Sequence, residues 1–148
     1  MIRMKIKTTV LHYTKPTSDV FLTDVTRQTE HLIVDSKMED GIAIIHTDHP
    51  NCCITTMEYE PGSIHDMQEA LKKLNPHNGH NGHHEGNSGN GANGNGTHQD
   101  VRTTLIGTSI TVPFKDNREL LGKWQKVVLV DFDASKEEKR VIVQVIGE

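Results

Sequence analysis

Two periods of hydrophobic alternation divide this chain, and the switches between them mark its elements. From Met4 to Thr14 apolar and polar residues nearly alternate in a run rich in Thr, Val and Ile, which predicts a strand with one face on a core. A second short strand, Val20 to Thr23, follows a turn at Pro16 to Asp19. Thr23 or Asp24 is then placed to cap a helix in which Val25, Leu32, Ile33 and Met38 return at roughly helical spacing before Gly41 ends the unit. Two β-branched runs follow, Gly41 to Thr47 and Cys52 to Glu60, and the Asp-His-Pro-Asn turn between them puts His49 at a corner. Pro61, Gly62 and Ser63 break the second run. Ile64, Met67, Leu71 and Leu74 then line one helical face, with Ser63 as cap and lysines near the end.

Past a long polar stretch, Asp100 to Gly107 reads as a short helix or strand. Ser109 to Phe114, Lys123 to Asp133 and Lys139 to Glu148 are three β-rich segments, joined by polar turns at Lys115 to Asn117 and Ala134 to Glu138. The C-terminal runs are almost continuously apolar, which predicts a central strand. The order of elements predicts an α+β fold, a two-layer sandwich with helices packed on one face of a largely antiparallel sheet. A length of 148 residues suits one domain spanning 1–148.

The polar stretch, residues 76–98, is dominated by Gly, Asn and His and offers almost nothing to bury. Ordering it carries a heavy entropic cost, so most of it reads as a flexible insertion, although His77, His80, His83 and His84 also form a metal-binding composition. The net charge of -4, with both signs interspersed, disfavours nucleic acid and anionic membranes as partners. The absence of a signal-peptide pattern or a membrane-length apolar run makes a cytoplasmic protein the expectation. Cys52 and Cys53 are adjacent, would face opposite sides of a strand, and read as reduced packing residues.

The order of short motifs adds a resemblance. A histidine turn, the acidic Glu58-Tyr59-Glu60-Pro61-Gly62 segment, a helix, a histidine-bearing loop, LIGTSITVPF, LGKWQKVVLVDFD and RVIVQVIGE together resemble the YjbQ-like family, also called the secondary thiamine-phosphate synthase enzyme family. The likeness covers nearly the whole chain and is strongest from Val101 onward. Members of that family carry an HTT turn, an NE pair nine residues on, a loop ending in HxH or AH, and a GTWQ strand start. Here the turn histidine matches His49, followed by Pro50 and Asn51; the NE pair is Met57 and Glu58; His98 and Asp100 stand for HxH; and GTWQ reads Gly122, Lys123, Trp124, Gln125.

The resemblance implies a compact α+β subunit in a homotrimer, with its site between subunits, and a capacity to form thiamine phosphate as a secondary activity. It marks His49 and Glu58 as catalytic candidates. His49, His98 and Asp100, with His83 or His84 from the loop, become ligands for a divalent ion, zinc or magnesium, beside a small phosphorylated substrate. Without the resemblance, His49 reads as a turn cap and Glu58 as a solvated strand residue. Trp124 reads as core at the entry to a buried strand. Arg102, Arg118, Lys123 and Arg140 read as surface charges, and no phosphate-binding glycine loop accompanies them. The same residues suit a metal-assisted hydrolase, and the replaced motif positions suit a non-catalytic metal-binding or degenerate member.

Overall fold

A computed structural model describes residues 3–14, 19–74, 100–133 and 135–148. Its elements are β1 (Lys5–Tyr13), β2 (Phe21–Asp24), α1 (Thr26–Ser36), β3 (Gly41–Thr47), β4 (Cys52–Met57), α2 (Pro61–Lys73), α3 (Val101–Ile106), β5 (Ser109–Lys115), β6 (Arg118–Glu119), β7 (Lys126–Asp131) and β8 (Lys139–Gly147). The expected α+β fold with antiparallel pairing is present, and the strands divide between two sheets. One runs β1-β8-β3-β5-β6 and the other β2-β7-β4. The C-terminal strands are central in both, with β8 between β1 and β3 and β7 between β2 and β4.

Burial explains the division. In β8 and β3 alternate residues are buried, and Ala43, Ile45, Val141, Val143 and Val145 meet Cys52, Ile54, Val127 and Leu129 of the second sheet in one core. The strand β7 is buried on both sides. Its Val128 and Val130 join Leu22, Cys53, Leu71 and Phe132 in a second core on the far face, with Met67 of α2 and Ile106 of α3 packed against it. A strand covered on both faces reads as a continuous apolar run, which is why its pattern does not alternate. The adjacent cysteines face one core each, and burial pushes the Cys53 thiol up to about 12 and that of Cys52 higher still.

Local chemistry sets the boundaries. Asp24 Oδ1 accepts the Thr26 amide at 2.9 Å and so serves the start of α1, while the helix ends at Lys37, which adopts a left-handed conformation with φ of 60°. Gly41 therefore opens β3 instead of closing the helix. Asp116 and Asn117 both have positive φ, the geometry of a tight hairpin turn, and Asn117 Nδ2 donates to the carbonyls of Ile33 at 2.8 Å and Met38 at 2.6 Å. The helix α2 begins two residues before the expected cap Ser63, because Pro61 suits the first helical position, where its missing N–H costs nothing. Gly41 and Gly147 face each other across β3 and β8; a Cβ on Gly41 would lie 2.0 Å from the Ile146 carbonyl oxygen and one on Gly147 2.2 Å from that of Asp40.

The hairpin carries a strained acid. Burial first, then the field of Glu30, pushes the Glu119 carboxyl up to about 7, with Lys126 opposing, and its buried Oε2 has no partner among the described residues. An acid with a folded pKa above its unfolded value of about 4.3 holds its proton more tightly when folded, so its contribution to stability is lost as pH rises through that window to 7. Glu119→Gln is expected to raise Tm at pH 8 by roughly 2 °C and to leave it unchanged at pH 4, as thermal melts at the two pH values would show.

Candidate functional site around the His49 turn

The turn after β3 is shaped by His49 itself. Its carbonyl accepts the Cys52 amide at 3.2 Å, and its Nδ1 accepts the Asn51 amide at 3.1 Å. With Nδ1 used as an acceptor, the neutral ring carries its proton on Nε2. Pairing of Cys52 with Asp131, and the bond from the Phe132 amide to the Asn51 carbonyl at 2.9 Å, bring the end of β7 against this turn. Asp133 Oδ2 then lies 3.8 Å from His49 Nε2, and Glu137 approaches from the connection to β8. One ligand-type atom from each of His49, Asp133 and Glu137 falls within 4.8 Å of the others.

Beside them sits a buried ammonium. Lys139 is 1% exposed and its Nζ donates to the Glu137 carbonyl at 2.7 Å, with Asp133 Oδ2 at 3.0 Å and Asp131 Oδ2 at 3.6 Å. Burial alone would lower the pKa of Lys139, but the hydrogen bond to Asp133 and the charges of both aspartates outweigh it and raise the value. Burial pushes the Asp133 carboxyl up in the same way, and hydrogen bonds from Ser135 and Lys139 more than reverse this, holding it at about 2. Three carboxylates against one ammonium leave the cluster net negative.

The donor set, one imidazole and two carboxylates, is of the type that holds zinc or magnesium. Coordination through Nε2 requires the ring proton to move to Nδ1 and the Asn51 amide to release the ring, a rearrangement costing about one ordinary hydrogen bond, roughly 1 kcal/mol. Asp133 and Glu137 were not among the residues singled out from sequence. The signal for them was the acidic ending of an apolar run, Asp131-Phe132-Asp133, in front of a turn rich in Glu.

The other candidates fall in different places. Asp100 caps α3 and its carboxylate takes three bonds from Arg102: the amide at 2.9 Å, Nε at 2.9 Å and Nη2 at 2.7 Å. Its own amide donates to Asn51 Oδ1 at 3.1 Å, so the start of α3 docks on the His49 turn. Arg102 is not the surface charge expected from sequence. It is buried, donates from Nη1 to the Leu71 carbonyl at 2.8 Å, and lies 3.9 Å from the centre of the Phe132 ring. Glu58 is exposed just past the far end of β4, so the six residues of that strand separate it from the His49 turn, roughly 20 Å in extended chain. Within one subunit the two do not meet. His83, His84 and His98 lie outside the described residues.

Trp124 is not core: it is 64% exposed, ahead of the start of β7, with Lys123 Nζ 5.1 Å from its ring centre. Arg140 is exposed and paired with Asp48. An open cleft of about 380 Å³, lined by Thr56, Ile110, Thr111, Leu120, Leu121 and Gln125 among others, lies toward the Glu58 end of β4.

A two-sheet α+β subunit with an acid-flanked histidine turn is the class that this geometry defines. The chain belongs to the UPF0047 protein YjbQ-like family, whose model matches residues 11–148. It is 32% identical over 134 residues to a UPF0047 protein of Methanocaldococcus jannaschii, covering 86% of each chain. A UPF0047 protein of Archaeoglobus fulgidus is 28% identical over 132 residues, covering 89% of this chain and 96% of that one. The fold matches a YbjQ-like protein of unknown function from Sulfolobus solfataricus with a TM-score of 0.83 at 23% identity, covering 99% of this chain and 100% of that one. A hypothetical protein from Aeropyrum pernix is similar, with a TM-score of 0.80 at 23% identity, covering 96% and 99%. Among the described residues no helix is long and apolar enough to cross a membrane.

Removing one member of the buried ion cluster leaves the others uncompensated. Lys139→Met is expected to destabilise the fold by about 3 kcal/mol or more, because Asp131 and Asp133 lose their counter-charge while Asp131 stays buried. Urea unfolding at pH 7 measures it, and a loss under 1 kcal/mol would contradict the buried pair.

Proposed function

We propose that this YjbQ-like protein binds a divalent ion, zinc or magnesium, at the His49 turn and acts there on a small phosphorylated substrate. The observation that carries this reading is the convergence of His49, Asp133 and Glu137 on one point in a net negative cluster. His49 and the two carboxylates hold the ion, and Lys139 keeps Asp133 ionised and fixed in place. A bound divalent ion would neutralise charge developing on phosphate oxygens. The resemblance supplies the finer reaction: a thiazole phosphate joins a pyrimidine diphosphate and pyrophosphate leaves, a secondary thiamine-phosphate synthase activity. A metal-assisted hydrolase would use the same residues.

Glu58 as proton acceptor belongs to this reading only through a neighbouring subunit, given its place at the other end of β4, which accords with a homotrimer carrying its sites between subunits. A second reading, a non-catalytic metal-binding or degenerate member, is favoured by a separate observation. Asp100, expected as a ligand, has its carboxylate engaged by Arg102. His83, His84 and His98 would add loop ligands in either case.

Calorimetry with zinc and with magnesium tests the site. His49→Ala and Asp133→Asn are expected to weaken binding at least tenfold, whereas a variant lacking residues 77–84 keeps most of it. Loss confined to the loop variant would mean that the histidine tract binds by composition alone. Formation of thiamine phosphate by the metal-loaded protein, abolished in His49→Ala, would separate the enzyme from the non-catalytic reading.

A further inference from the structure

His49, Pro50, Asn51 and Cys52 form one β-turn, closed by the Cys52 amide on the His49 carbonyl at 3.2 Å. Asn51 does not have a positive φ, which excludes the type II form and leaves type I. The two forms differ chiefly in the direction of the central peptide, here the one between Pro50 and Asn51. Both ends of that peptide are engaged, on opposite sides of the turn. Its N–H donates to His49 Nδ1 at 3.1 Å, and its C=O accepts from Thr103 Oγ1 of α3 at 3.3 Å. The unit is planar and trans, so neither end leaves its partner without the other.

An ion on His49 Nε2 puts the ring proton on Nδ1, where it faces the Asn51 N–H. Two donors then meet across a contact of 3.1 Å. Turning the ring relieves nothing, because Nε2 has to stay on the ion beside Asp133 and Glu137. We propose that zinc binding at His49 flips the peptide between Pro50 and Asn51, converting the turn from type I to type II. The proposal rests on the ion site of the preceding section and gives that site a selectivity device. After the flip the Pro50 carbonyl accepts from Nδ1–H. The Asn51 N–H turns to Thr103 Oγ1, whose hydrogen goes to the Asp100 carbonyl at 2.7 Å and leaves the oxygen to accept.

Two features make the flip the local response. Proline is favoured at the second position of both turn types, and type II demands φ > 0 at the third, which Asn tolerates better than most side chains. The rest of the turn is anchored in either form: Asn51 Oδ1 accepts the Asp100 amide at 3.1 Å, the Asn51 carbonyl accepts the Phe132 amide at 2.9 Å, and the Cys52 bond is common to both. Only the central peptide has a second set of partners within reach. Zinc, which takes imidazole nitrogen readily, has the affinity to drive the exchange; magnesium, which prefers oxygen and keeps its water, has not.

Nuclear magnetic resonance of the full chain, titrated with zinc and separately with magnesium, tests this at the turn itself. Zinc is expected to move the His49 ring proton to Nδ1 and to bring up a strong Overhauser contact between the Pro50 Hα and the Asn51 amide, the mark of a Pro50 ψ of about 120° in type II. Magnesium is expected to leave that contact weak. Asn51→Gly and Asn51→Ala remove the same side-chain bond to Asp100 but differ in their tolerance of positive φ. The Gly variant is therefore expected to bind zinc at His49 about fivefold more tightly than the Ala variant. A shifted His49 ring with a weak Pro50 contact and equal affinities overturns the flip and leaves the ion site standing. A contact raised by magnesium as well overturns the selectivity. A His49 ring that ignores zinc overturns both the site and the flip. If either variant fails to fold by circular dichroism, the contact in the wild type decides alone.

Discussion

The buried ammonium of Lys139 is the contact on which the site depends. It opens β8 of the first sheet and is held by Asp131 and Asp133 at the end of β7, in the second sheet. One charge cluster thereby ties the two sheets at the edge where the His49 turn sits. An ammonium out of water is tolerable only with its oxygens fixed around it, so each partner's position is constrained by the others. Asp133 is pinned on one side by Lys139, and its approach to His49 on the other follows from that pinning. The approach of Asp133 to the turn is thus a by-product of how the sheets are joined.

The same arrangement separates the motif residues into two ends. β4 begins beside Asp131 and finishes beside Lys126, and this register carries His49 to one edge of the sandwich and Glu58 to the other. A spacing of nine residues that looks local in sequence becomes roughly 20 Å when the intervening chain is a six-residue strand. Chemistry that needs both residues must be assembled from more than one subunit, and chemistry confined to one subunit must rely on Asp133 and Glu137.

Much of the fold was legible because strand patterns report directly on burial. The almost continuously apolar C-terminal runs, β7 and β8, gave central strands where they are found. The division into two sheets was not legible, because a run buried on both faces looks the same whether helices or a second sheet cover it. Trp124 was misplaced because its segment was taken to enter the strand early, whereas pairing starts at Lys126. Arg102 was misplaced for a different reason: beyond the neighbouring Asp100, its burial depends on Leu71 and Phe132, which come from two other segments and leave no local mark. Asp133 and Glu137 escaped similarly, since their approach to His49 exists only through the β4–β7 register.

Arg102 has one more consequence. By bonding the Leu71 carbonyl near the end of α2 and Asp100 at the start of α3, it fastens together the two points where the chain departs into residues 75–99 and returns. Once such a base is closed, the length of chain above it matters little to stability, since each doubling of a flexible loop adds only about 0.6 kcal/mol of closure entropy. The fastening itself does not depend on how many residues lie between the two points. Insertion between them is therefore an inexpensive way for a lineage to add new recognition elements while the rest of the subunit stays fixed.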